Sequence, residues 1–129
     1  MTGECIDALY SFFSGFSIPV YPEDSVPIKN PETGEKVDPP YLTVQLIAPT
    51  WRGSMPFFAR LWYRSDSFDE ICAKADEIEA AIGEGVSIKT HSGAVYIYTE
   101  DNFLQFKPVA ADTTRKCAYL SMSLQNNTP

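Results

Sequence analysis

The chain has 129 residues, 44% hydrophobic and 13% aromatic, with a net charge of −7. This length suits one domain spanning 1–129 that needs no disulfides. The charge argues against gripping nucleic acid from outside or binding anionic membranes, since both need clustered Lys and Arg. Three cysteines (Cys5, Cys72, Cys117) and one histidine give no C-x-x-C pair and no zinc pattern. They are read as reduced, inert thiols. No stretch approaches the roughly 20 apolar residues of a membrane span. The opening Met-Thr-Gly-Glu lacks the basic n-region of a secretory signal.

In chain order, Ile6, Leu9, Phe13 and Phe16 recur at helical spacing. They predict a short helix over about Glu4–Ser14, capped by Thr2 and weakened at its end by Gly15. Ser17–Tyr21 is extended but kept off a central strand position by Pro19 and Pro22. A long Pro-rich loop follows at about 23–40, whose Pro-Glu-Thr-Gly-Glu-Lys run suits a tight turn or a small exposed hairpin.

Tyr41–Ile47 alternates, with Leu42, Val44 and Leu46 on one face. Pro49–Met55 reads as a loop. Pro56–Arg64 alternates again, with Phe57, Ala59, Leu61 and Tyr63 against Phe58, Arg60, Trp62 and Arg64. The two runs predict an antiparallel hairpin. Its second face mixes aromatics with arginines, as a surface that gets covered does. Ser67 and Glu70 have capping-box spacing before an amphipathic helix with the stripe Phe68, Ile71, Ala75, Ile78, Ile82. Glu70 and Lys74 form an i,i+4 pair on its wet side, and Gly83 or Gly85 ends it. A second hairpin is expected over Val86–Thr90 and Ala94–Thr99, turning at His91-Ser92-Gly93. Phe103–Lys107 is a short strand or bulge. Thr113–Gln125 is the last strand, with Ala118, Leu120, Met122 and Leu124 inward. The fold class is α+β: an antiparallel or mixed sheet of about four to five strands with two helices, the second packed on one face.

The chemistry-bearing residues have bland readings. His91 stands in a turn without a marked partner, Cys72 has acidic neighbours, and the carboxylates of the second helix form a solvated face without EF-hand spacing. Gly83-Glu84-Gly85 follows a helix rather than opening one, the wrong context for a phosphate loop. The aromatics lack the basic groove that a single-strand stacking platform needs.

Pro40-Tyr41-Leu42-Thr43-Val44-Gln45-Leu46, then Leu61-Trp62-Tyr63-Arg64-Ser65, then the acidic helix ending Ala80-Ala81-Ile82-Gly83, resemble tailed-phage tail terminator (tail completion) proteins. The resemblance runs nearly the full length, in patterns rather than a signature. It implies a non-enzymatic structural protein without cofactor, assembled in host cytoplasm into the head-proximal end of the tail. It would form a ring, in that family usually of six copies, that caps the tail tube, ends polymerisation and offers an interface to the head connector. Its partners would be further copies of itself, the major tail tube protein and the head-completion protein, with no membrane involved. DNA would pass through an acidic lumen without specific binding. Arg60, Trp62, Arg64 and Glu77 become candidate subunit-interface residues, the arginines meeting a neighbour's acidic helix. Lys29, Glu32, Lys36, Trp51, Arg52 and His91 become candidate tube or neck contacts. The alternatives are another phage neck or minor tail component, or a small soluble enzyme or ligand-binding module.

Overall fold

A computed structural model describes residues 2–22, 26–29, 33–44, 54–91, 93–107 and 114–126; for residues 2, 3, 54, 55 and 126 it describes the backbone alone. The elements are α1 (Thr2–Phe13), a 3-10 turn (Ser14–Phe16), β1 (Val20–Pro22), β2 (Tyr41–Val44), β3 (Ser54–Arg64), α2 (Asp69–Ile82), β4 (Val86–Lys89), β5 (Ala94–Lys107) and β6 (Arg115–Asn126). The strands form one six-stranded sheet in the order β1-β2-β3-β6-β5-β4. The α+β class holds, and the sheet is mixed: β1 pairs parallel to β2 and every other pairing is antiparallel. The strand count exceeds the expected four to five because the proline-flanked segment Val20–Pro22 joins as an edge strand. That is the position at which Pro costs no ladder hydrogen bond.

The parallel β1–β2 pair also accounts for the run 23–40. Parallel neighbours cannot be joined by a tight turn and need a crossover of a dozen or more residues. The long loop between these strands is therefore a topological requirement. The residues flanking 30–32, which lie outside the described residues, pair as the expected small hairpin requires. Lys29 and Lys36 make an antiparallel bridge, the Val37 N–H donates to the Ile28 carbonyl over 2.9 Å, and Gly34 takes a φ of 74°.

Alternation sets the core. Phe57, Ala59, Leu61 and Tyr63 of β3 and Ala118, Leu120, Met122 and Leu124 of β6 are all buried on one sheet face, with Leu42, Val44, Val95 and Ile97 beside them. Both helices cover that face. α2 supplies Ile71, Ala75, Ile78 and Ile82, and α1 supplies Cys5, Ala8, Leu9 and Phe13, with Phe16 from the 3-10 turn. Leu9, Phe13 and Phe16 are buried as the spacing requires, while Ile6 is half-buried and Cys5 and Ala8 fill its place. At the head of the α2 stripe, Phe68 is exposed and packs on Phe106, ring centroids 4.6 Å apart.

Local details differ from the sequence expectations for identifiable reasons. Thr2 lies inside α1 rather than capping it, and Gly15 falls where the α-helix tightens into the 3-10 turn. Ser67 accepts the Asp69 N–H at 3.3 Å, a local serine turn, so no capping box reaches Glu70. Lys74 pairs not with Glu70 but with Glu77, at 3.2 Å, because its ammonium also donates to the Phe16 carbonyl at 2.7 Å and is drawn toward α1. Gly83 ends α2 at a φ of 57°, its N–H on the Glu79 carbonyl. The β4–β5 hairpin forms, and the Thr90 N–H donates to the Gly93 carbonyl over 2.9 Å. β5 does not stop at Thr99. It continues to Lys107 through a bulge in which residues 100–103 stand between the pairs Thr99↔Met122 and Leu104↔Leu120. The bulge turns Phe103 inward and leaves Glu100, Asp101 and Asn102 exposed. β3 begins two residues before the expected Pro56, at Ser54, while Gln45–Pro49 and Thr113 lie outside the described residues.

Candidate functional site

Among the described residues no helix packs on the second face of the sheet, and its side chains form an aromatic and cationic layer. Tyr21 meets Tyr41 edge to face at 5.8 Å, and Tyr41 stacks on Trp62 at 6.3 Å. The Arg115 guanidinium lies 4.7 Å over the Trp62 ring and donates to the Tyr41 hydroxyl at 3.0 Å. One strand pair further on, Tyr119 receives Arg60 at 4.5 Å and the Lys107 ammonium at 5.3 Å, with the Phe58 ring 5.8 Å away. Register makes these contacts possible. Trp62 is opposite Tyr41 on β2 and Cys117 on β6, and Arg60 is opposite Tyr119. Cross-strand partners share a face at about 5 Å, within reach of long side chains.

The layer is anchored from beneath. The Trp62 Nε1–H donates to Thr43 Oγ1 at 3.1 Å, and Thr43 is 3% exposed. Arg64, at the end of the same face, donates to Asp38 at 3.1 Å and to Thr114 Oγ1 at 3.3 Å. Side chains fixed in this way have already lost rotamer freedom, so a partner that covers them meets a smaller entropic cost. Tyr, Trp and Arg are also the residue types that dominate contact energies at protein interfaces.

At the Pro56 end of this face lies a cleft of about 490 Å³. The acidic bulge of β5, with Glu100, Asp101 and Asn102, forms one wall, and Pro56 and Phe58 of β3 form the other. Ser123 donates its hydroxyl hydrogen to Glu100 Oε1, fixing that carboxylate at the rim.

Of the expected interface residues, Arg60, Trp62 and Arg64 stand together on the open face, as their alternation requires. Glu77 is on α2, in the helix layer on the opposite side, and accepts from Lys74 within its own chain. Lys29 and Lys36 are brought together by their bridge in the 28–37 hairpin, and both are exposed. His91 is an exposed turn residue beside α1, where Glu4, Asp7 and Lys89 share a shallow cleft of about 310 Å³ with it. Glu32, Trp51 and Arg52 lie outside the described residues. Residues not anticipated are Tyr41, Lys107, Arg115 and Tyr119. The signal for Tyr119 was the outward half of the alternation in the last strand, opposite the inward Ala118 and Leu120.

The groups held above their ordinary pKa are on the helix side. Burial raises the Cys5 thiol and the Tyr10 phenol, and burial, then Glu70 and Glu77, raise the Tyr63 phenol. The Tyr10 hydroxyl is buried without a hydrogen-bond partner among the described residues. Among the described residues no three His, Cys, Asp or Glu side chains converge as a metal site would require, and no helix is long and apolar enough to cross a membrane. Compared with protein-family models, curated proteins and solved structures, the chain matches none.

Proposed function

We propose that this chain is a structural subunit of a phage tail, one copy in a ring that caps the tail tube, ends its polymerisation and presents a surface to the head connector. The observation that carries the reading is the open sheet face. Among the described residues helices cover one side of the sheet only, and the other side carries half-buried Trp62, Arg60, Arg115 and Tyr119, locked together with the buried Tyr41 by stacking and cation–π contacts. A preorganised aromatic and arginine face without a covering layer is what a subunit interface uses. The tail-terminator resemblance of the strand and helix patterns supplies the particular assembly.

Single-strand nucleic acid binding fits less well. A base needs a free ring face to stack on, and here Arg60 and Lys107 sit against Tyr119 while Arg115 and Tyr41 sit against Trp62. The net charge of −7 opposes it further.

Native mass spectrometry and multi-angle light scattering of the purified protein test the reading, alone and with assembled tail tubes. A closed ring, with tubes held at fixed length in its presence, is expected. A strict monomer that leaves tube length unaffected overturns it.

A further inference from the structure

The described residues of the 28–37 hairpin, 28–29 and 33–37, have two unlike sides. Lys29 and Lys36 are direct partners in an antiparallel bridge, so their side chains project to the same side. Two ammonium groups on one side of the hairpin make that side a match for carboxylates. Ile28, the neighbour of Lys29, alternates to the other side and is 80% exposed, the most exposed large hydrophobic residue among those described. By the same alternation Glu35, exposed beside Lys36, falls on the side of Ile28, so the hairpin is an arm with a cationic side and a side that carries Ile28 with one carboxylate. The Arg64–Asp38 ion pair at 3.1 Å fixes its root at the C-terminal end of β3.

The cleft on the open face has the complementary walls: Glu100 and Asp101 on the β5 bulge, Pro56 and Phe58 on β3. The two features do not meet within one chain. Pro56 and Arg64 are eight residue steps apart along β3, about 26 Å at the rise of a strand. The arm also leaves from the β1–β2 edge, while the cleft lies toward β5.

We propose that the 28–37 arm of one copy inserts into the cleft of a second copy. Lys29 and Lys36 then lie against Glu100 and Asp101, and Ile28 packs on Pro56 and Phe58. This rests on the reading of the open face as one that another copy covers, and it names the segment that covers it. The two lysines meet carboxylates in the contact, and the exposed isoleucine leaves water.

The test is charge reversal with mutual rescue. Lys29→Glu/Lys36→Glu and Glu100→Lys/Asp101→Lys are made separately, with Asp101→Lys alone as a milder cleft variant that keeps the Glu100–Ser123 contact. Circular dichroism checks folding, and sedimentation velocity over a concentration series reads self-association. Each variant alone is expected to associate about tenfold more weakly than wild type. An equimolar mixture of the arm and cleft variants is expected to recover association, because each then offers the other a matched pair. Variants that assemble like wild type, or a mixture without recovery, overturn the arm contact and leave the ring reading standing. A wild type that closes as a dimer, weakened and rescued by the same variants, supports the arm contact and removes the ring. A wild type that is monomeric at every concentration and inert toward tail tubes overturns both.

Discussion

Trp62 and Thr43 are joined across the open face by a hydrogen bond of 3.1 Å, the indole N–H donating to a hydroxyl that is almost fully buried. The partners are unequal, because Trp62 is only half-buried. Losing the tryptophan N–H leaves the Thr43 oxygen without its donor in a dry place. Losing the threonine hydroxyl leaves the N–H on a side chain that is itself only half-buried. Trp62→Phe is therefore expected to cost about 1 kcal/mol and Thr43→Val distinctly less. Urea denaturation of both variants checks the order, and equal losses or the reverse order contradict the geometry.

Gly85 has a φ of 146°, and a Cβ there would collide with the Tyr96 hydroxyl and the ring carbon that bears it; that hydroxyl donates to the Glu84 carbonyl at 3.2 Å. Gly85→Ala meets both backbone strain and a clash, for an expected loss of about 2 kcal/mol or more. Adding Tyr96→Phe leaves the ring in place and gives little back, whereas adding Tyr96→Ala removes the clash. A thermal melt of the single and double variants reads this directly.

The thiols differ in access. Cys5 and Cys117 are 1% and 2% exposed, while Cys72 is half-buried on α2. Under native conditions a thiol reagent is expected to modify Cys72 first, with Cys5 and Cys117 reacting only on unfolding. Cys5 is slowed further because burial holds its thiol above the ordinary pKa. Rapid modification of all three in the folded protein contradicts this packing.

Much of the fold was legible because alternation and helical spacing are local signals. The inward rows of β3 and β6 and the α2 stripe from Ile71 to Ile82 could be read residue by residue. Features that depend on a partner far along the chain could not. Lys74 turns from Glu70 to Glu77 because the Phe16 carbonyl, fifty-eight residues away, takes part of its ammonium. β1 joins as a parallel edge strand, a pairing that no pattern within Val20–Pro22 announces. The same holds for the site. Alternation put Arg60, Trp62 and Arg64 on one face, but that Arg115 covers Trp62 and Lys107 joins Arg60 at Tyr119 follows only from the β3–β6–β5 register.

The raised phenols and thiol set an alkaline limit. Tyr10, Tyr63 and Cys5 all have folded pKa values above their unfolded ones. As pH climbs past about 8.5 for the thiol and about 10 for the phenols, the unfolded chain sheds protons that the folded chain retains. The folded state then binds more protons, so the slope of stability with pH is negative there. Stability is expected to be full at neutral pH and to fall above about pH 9. Tyr63→Phe is expected to lessen the fall near pH 10, since it removes the phenol that Glu70 and Glu77 also oppose. Denaturant midpoints from pH 7 to 11 check the sign, and a midpoint that rises with pH contradicts it.

Arg64→Ala separates the role of the arm from the stability of the domain. The Arg64–Asp38 pair is about half exposed on both sides, with side chains 44% and 53% accessible, so water screens it. Its loss is expected to cost the domain no more than about 1 kcal/mol. Its position matters more, because Asp38 is the root of the 28–37 arm and Arg64 is on the rigid sheet. Without the ion pair, the arm keeps its Lys29–Lys36 bridge but loses a tie to β3. Hydrogen exchange at Val37, whose N–H closes the arm on Ile28, is expected to accelerate, while exchange in the β3–β6 ladder stays unchanged. If the ladder and the arm accelerate together, Arg64 supports the whole sheet. If neither changes, the ion pair does not hold the arm.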